Sequence, residues 1–271
     1  MSILPQEAIS PALGARPAAE SSESIAATHV REIFDSIAPS YDLLNHLLSM
    51  GLDRHWWRRT ARAFRSTLAF PNARVLDLCC GTGDLTAALL ALRPTTGHCS
   101  SCSSGPMPTD VTAEPITGLD FSAEMLSRAR QKFSTTDILW VEADAMHLPY
   151  PDKSFDLVTS AFGFRNLTNY AAGLREIHRV LRPNGQIGIL ECNNPDGLSG
   201  AAYNLYFKHI LPLIGGAISG DRAAYRYLPA SVARFPRPPQ MLGLLREAGF
   251  SHETWDGYLF RAAGLYRATK L

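Results

Sequence analysis

Three aspartates stand at or beside the ends of apolar runs: Asp77 in "VLDLCCGTGDLT", Asp120 in "ITGLD" and Asp144 in "WVEAD". Past Asp77 the chain bends through Gly81-Thr82-Gly83, and glycine, which lacks a Cβ, lets the backbone approach a ligand closely. The bend lacks the third glycine of a dinucleotide fingerprint, because Thr86 occupies that position, and it lacks the Gly-Lys-Ser/Thr of a phosphate loop. Asp77 before it and Asp84 after it would repel a pyrophosphate and suit a cation. A carboxylate at Asp120 has the position that accepts two ribose hydroxyls, and Asp144 has the position to receive an adenine amino group. Each aspartate taken alone is more often a helix cap or a solvated turn residue. Taken in order, they outline a pocket for adenosine joined to an amine and a sulfonium, which is S-adenosylmethionine.

The elements that must position these acids alternate. "ARVLDLCC", "PITGLDFS", "ILWVEAD", "FDLVTSAF" and "QIGILEC" have strand patterns, and "DLTAALLAL", "AEMLSRARQKF" and "YAAGLREIHRVL" have helical spacing. Strand–helix alternation predicts an α/β fold, a doubly wound, mostly parallel sheet with its ligand crevice at the carboxyl ends of the strands. A hairpin turn at Asp256-Gly257 predicts an antiparallel C-terminal edge. Ile33, Ile37, Leu43, Leu47 and Leu48 place helices ahead of the first strand. Residues 1–28 are expected to be a mobile, disordered tail rather than a signal peptide, with one domain over 29–271. Within it, 93–115 has the composition of a flexible insertion. Residues 196–240, with Tyr203, Phe207, Ile210, Leu211 and Ile214 spaced for one face, predict a helical substrate cap.

The 271 residues are 46% hydrophobic, with 26 Lys plus Arg against 25 Asp plus Glu. So small a charge balance supplies no field for a polyanion and argues against nucleic acid. Five cysteines, two of them adjacent on a strand, do not form a secreted disulfide framework and point to the cytoplasm. The most apolar stretch, from Leu205, is broken by Lys208 and Pro212, which excludes a membrane span but leaves peripheral contact at the inner face of a membrane open. Trp56-Trp57 with Arg58-Arg59 fits either a lipid interface or helix packing. Cys99 and Cys102 have metal-ligand spacing but no second pair, so no metal is assigned.

"VLDLCCGTGDLT", "GLDFSAEMLSRAR", "VEADAMHLPYPDKSFDLVTSAFGFRNLTN", "EIHRVLRPNGQIGILE" and "AYRYLPASVARFP" together resemble the ubiquinone/menaquinone biosynthesis C-methyltransferase family over about residues 30–271, apart from the insertion. "FGFRNLTN" and "YRYLPAS" are the specific segments. The resemblance implies a class I methyltransferase with a seven-stranded sheet. It implies methyl transfer from S-adenosylmethionine to a ring carbon of a polyprenyl quinol, demethylmenaquinol or the analogous methoxy-benzoquinol. Matching positions carry the cofactor site over to Thr82, Asp120, Asp144 and Ala145, beside Asp77, Gly81, Gly83 and Phe121 at the strand ends; Tyr41 resembles the family's active-site tyrosine, and Arg165 and Asn166, just past "LVTSAF", lie where the ring should sit. Arg165 is then expected to stabilise a developing phenolate or orient a water; a surface salt bridge is its alternative, and simple packing is that of Tyr41. Ala161 departs from the serine that family members often carry before "FG". Other readings are a methyltransferase acting on another small lipid or sterol, a nicotinamide oxidoreductase disfavoured by the acids, and a cofactor-binding protein without catalysis. Ring type, tail length and homodimer formation stay open.

Overall fold

The structure, a computed structural model, describes residues 14–17, 22–49, 51–94, 113–193 and 222–271. Most of the expected insertion over 93–115 and the run from Tyr203 to Ile214 lie outside the described residues. Helices α1 (Glu23–Ile37), α2 (Tyr41–Leu48), α3 (Asp53–Ala63) and α4 (Arg65–Leu68) lead to β1 (Val75–Leu78). There follow α5 (Asp84–Leu90), β2 (Ile116–Asp120), α6 (Ala123–Lys132), β3 (Ile138–Glu142), β4 (Phe155–Ala161), α7 (Tyr170–Val180) and β5 (Leu181–Cys192). The described chain closes with α8 (Arg222–Arg234), α9 (Pro238–Glu247), β6 (Phe250–Tyr258) and β7 (Ala263–Lys270).

One seven-stranded sheet runs in the order β3-β2-β1-β4-β5-β7-β6. Strands β1 to β5 are parallel, and β7 is antiparallel to both β5 and β6, as the alternating pattern and the C-terminal edge predict. β1 lies between β2 and β4, and all four of its residues are buried, which is why it reads as a nearly unbroken apolar run. Alternate residues feed two cores. Leu76 and Leu78 pack with Leu174 and Ile177 of α7 and Leu244 of α9, while Val75 packs with Trp56, Leu68 and Leu89 on the opposite face.

Two local readings change. The hairpin does not turn at Asp256-Gly257: β6 continues through it, Gly257 pairs with Gly264, and the reversal occupies Leu259–Ala262. The glycines are there for the Trp255 indole, since a Cβ on Gly264 would lie 2.2 Å from its Nε1 and one on Gly257 3.1 Å from its Cη2. α1 begins at Glu23, inside the segment expected to be a tail, because Ala26 and Val30 are buried. Residues 14–17 are tethered to the loop after β4, Ala15 N–H donating to Leu167 O at 2.7 Å and the Arg16 guanidinium to Thr168 O at 2.7 Å. Among the described residues, no helix is long and apolar enough to cross a membrane.

Candidate active site

A cleft opens at the carboxyl ends of β1, β2 and β4. Gly81, Asp120, Phe121, Asp144, Ala145 and Asn166 line it. α1 and α2 roof the cleft with Val30, Phe34 and Tyr41. The roof is aromatic: the Phe34 ring lies edge-on to Tyr41 at 6.1 Å and to Phe121 at 6.4 Å. A smaller cavity shares Tyr41, Cys79 and Phe162 with the first and is lined by Asp77, Thr82 and Ala161.

The aspartates are held by the backbone and by threonines. Asp120 Oδ2 accepts Gly81 N–H at 2.8 Å and its Oδ1 accepts Ser122 N–H at 3.0 Å. Burial pushes its carboxyl up to about 6 against these two N–H groups, which favour the ionised form. Asp77 accepts Thr86 Oγ1–H at 2.6 Å and Thr159 Oγ1–H at 2.8 Å. Burial pushes it up to about 7, the threonines opposing and the charge of Asp120 adding to the rise. Asp144, more exposed, accepts Met146 N–H at 2.8 Å.

Carboxylates also seat the roof. Asp42 of α2 accepts Thr82 Oγ1–H at 2.5 Å and pairs with Lys132 at 2.7 Å; Lys132 in turn pairs with Asp84 at 2.8 Å. Asp35 of α1 accepts Ser122 Oγ–H at 2.5 Å. Thr82, expected at the cofactor, thus spends its hydroxyl on the roof helix.

Gly83 lies on neither cavity wall described above. Its φ is +89°, and a Cβ there would stand 2.4 Å from the Trp140 ring. Gly83→Ala is expected to cost about 2–3 kcal/mol, from a positive φ and overpacking, read as a lower midpoint of denaturant unfolding. An unchanged midpoint would show that the ring moves freely.

Arg165 is neither a surface salt bridge nor a wall of the cleft. Only 5% exposed, it pairs with fully buried Glu191 at 3.1 Å, and its guanidinium also donates to Phe162 O and, at 3.3 Å, to Ser231 Oγ. Its own backbone N–H donates to Glu191 Oε1 at 2.9 Å. Asn166 does reach the cleft, and its Oδ1 accepts Tyr227 O–H at 2.9 Å. The segments "FGFRN" and "YRYLPAS" therefore meet, α8 clasping the turn after β4 through two side chains. Burial pushes the Tyr41 phenol up to about 12, against a hydrogen bond with the Asn45 side chain and the charge of Arg165.

Glu191, Tyr227 and Ser231 escape the sequence reading. Glu191 carried one signal, an acid closing the apolar run "QIGIL"; Tyr227 and Ser231 lie in a motif whose contacts only the fold supplies. Of the histidines, exposed His147 touches Asp144 at 3.4 Å, His178 packs edge-on against Phe250, and His209 lies outside the described residues.

Residues 22–270 match the ubiE/COQ5 methyltransferase family. A demethylmenaquinone methyltransferase of Deinococcus radiodurans is 44% identical over 89% of this chain and 92% of its own length. A ubiquinone/menaquinone biosynthesis C-methyltransferase of Geotalea daltonii is 37% identical over 89% and 96%. Among solved structures, a SAM-dependent methyltransferase of Thermotoga maritima superposes with a TM-score of 0.61 at 18% identity, covering 90% of this chain and all of that one, and shows the fold. With a match running from the first roof helix to the last strand, the chain belongs to the ubiE/COQ5 methyltransferase family.

Proposed function

We propose that this chain transfers a methyl group from S-adenosylmethionine to a ring carbon of a polyprenyl quinol, with demethylmenaquinol as the acceptor. The names of the relatives support the substrate class. The observation that carries the reading is the hydrogen bond from Tyr227 to Asn166, a lining residue of the cleft that also holds Asp120, which joins the two family-specific segments at the edge of an acidic cleft.

The residues fit the methyl donor. A carboxylate has about four lone-pair sites, and Asp120 spends some of them on the backbone N–H groups of Gly81, Ser122 and Phe121, leaving acceptor capacity for a ribose hydroxyl. Asp144 and Ala145 would hold the adenine, with Phe121 beside it, and the acids of the smaller cavity suit the amine. When bound, this donor supplies a methyl group already activated on a sulfonium. The chain must exclude bulk water from the methyl group and hold the ring, and the proton that the quinol gives up passes to solvent. Val30, Phe34 and Phe121 do the first. Asn166 and Tyr41 do the second, and at pH 7 a phenol near 12 keeps its proton, so Tyr41 acts as a hydrogen-bond donor to a phenolate oxygen rather than as a base. Arg165 is a positioning residue: paired with Glu191, it holds the Phe162–Asn166 turn from behind.

The roof must admit the donor, and Lys132 is one of its fastenings. Lys132→Ala is expected to speed donor release by about two- to fivefold, the worth of a partly exposed pair, by stopped-flow measurement; a rate unchanged in low salt would detach α2 from this role. The functional reading is tested in cells lacking the protein, whose quinones, analysed by mass spectrometry, are expected to accumulate a species short of one ring methyl. An unaltered quinone pool would overturn it.

A further inference from the structure

We propose that the outer face of α3 and the apolar turn between β6 and β7 form a docking surface for an anionic lipid bilayer. Arg54, Arg58 and Arg62 recur at four-residue spacing and are exposed, with Arg65 continuing the row. Among the described residues these four guanidiniums form no ion pair. The chain as a whole carries +1, so this cluster is a local excess and not part of a general field. The opposite face of the helix is spent on the fold, with Trp56 buried 5.9 Å from the Phe162 ring. That settles the tryptophan–arginine segment as two faces: rings inward, guanidiniums outward.

The turn beside it is built against local preference. Leu259, Phe260 and Arg261 all have positive φ, 40°, 51° and 70°, where glycine, asparagine or aspartate would be comfortable. Two of the three are large apolar side chains facing water, Leu259 at 37% and Phe260 at 79% exposure. Strain that presents an apolar pair to solvent is a mark of function, while the third residue of the turn, Arg261, folds back over the Trp255 ring at 5.7 Å. The two features adjoin, since the Arg59 guanidinium lies 4.1 Å from the ring of Tyr258, the residue before the turn. They also face the right way: Ala263 pairs with Cys192, so the turn lies at the carboxyl end of β5, the same end of the sheet as the cleft. Guanidiniums at lipid phosphates with an aromatic ring in the headgroup layer are the chemistry of an interfacial anchor. The purpose of this surface, taking a quinol whose tail lies in the bilayer, rests on the functional reading above; the docking itself does not.

The test is co-sedimentation of the full chain with vesicles of phosphatidylcholine alone and of phosphatidylcholine mixed with phosphatidylglycerol. Binding is expected to the mixed vesicles and to fall at about 1 M salt. Phe260→Asp, which suits a positive φ at an exposed site, and the pair Arg58→Glu with Arg62→Glu are each expected to lower partition by about tenfold. Both variants should methylate a short-chain, water-soluble quinol within about twofold of the parent chain. Failure to bind either vesicle, equal binding by parent and variants, or retention on heparin without vesicle binding would each overturn the proposal. Absence of methyl transfer to the soluble quinol by the parent chain would instead sink the functional reading, whatever the vesicles show.

Discussion

Glu191→Ala is expected to destabilise the protein by about 3–5 kcal/mol, the range for stripping one partner from a buried ion pair, and to lower Tm by about 10 °C. The size follows from what remains. Arg165 would keep its charge behind the cleft with Phe162 O and Ser231 Oγ as its side-chain partners, and its backbone N–H would lose the Glu191 acceptor. The double variant Arg165→Met with Glu191→Leu separates stability from positioning. Replacing a buried pair with apolar residues of similar volume is often neutral, so most of the lost Tm is expected to return. Turnover is not, because the guanidinium no longer ties the Phe162–Asn166 turn to α8. Thermal unfolding and kcat on the same samples check both halves; full turnover in the double variant would reduce the pair to packing.

Asp120→Asn is expected to weaken binding of S-adenosylhomocysteine by about 100-fold, close to 2.7 kcal/mol at 1.4 kcal/mol per tenfold. Two losses combine. The amide is a weaker acceptor for ribose hydroxyls than a carboxylate. It also presents an N–H₂ where either Gly81 N–H or Ser122 N–H now finds an oxygen. Protonation should act in the same direction. Asp120 sits near 6 and Asp77 near 7, both above the ordinary carboxyl range, so their contribution to folding stability is complete below about pH 4 and is lost as pH rises through 6 to 7 in the unliganded chain. Hydroxyl donors to Asp120 favour its ionised form, so affinity should rise with pH through about 6 in the parent chain, and that limb should vanish in Asp120→Asn. Calorimetric titration across that range reads both effects, and a parallel profile in the variant would remove Asp120 from the nucleoside pocket.

What was legible in the sequence is what local periodicity and strand-end chemistry encode. β1 announces its place because its residues are buried on both faces, and Asp120 and Asp144 follow strand ends that the pattern marks. Asp256-Gly257 misled because glycine has two uses: the pair signals a turn, whereas here Gly257 and Gly264 make room for Trp255. Gly83 is similar, its missing Cβ answering to Trp140. The partner of Arg165 is not legible, since Glu191 lies 26 residues away and meets it only when β5 pairs with β4. Tyr227 is farther still, 61 residues from Asn166, and no spacing rule connects them. The roof was visible as helices, but its fastenings, Asp42 on Thr82 and Asp35 on Ser122, are contacts between segments 40 and 87 residues apart.

The central claim is that an acid-lined cleft beneath α1 and α2 holds a sulfonium methyl donor against the ring carbon of a quinol. A single-turnover reaction of the purified chain with donor labelled in its methyl group, run with a short-chain demethylmenaquinone either reduced or oxidised, tests it most directly. The label is expected on a ring carbon of the product and only when the acceptor is reduced, because the quinol oxygen must develop negative charge for the carbon to attack. Label on oxygen, equal labelling of the oxidised acceptor, or none at all would contradict the account.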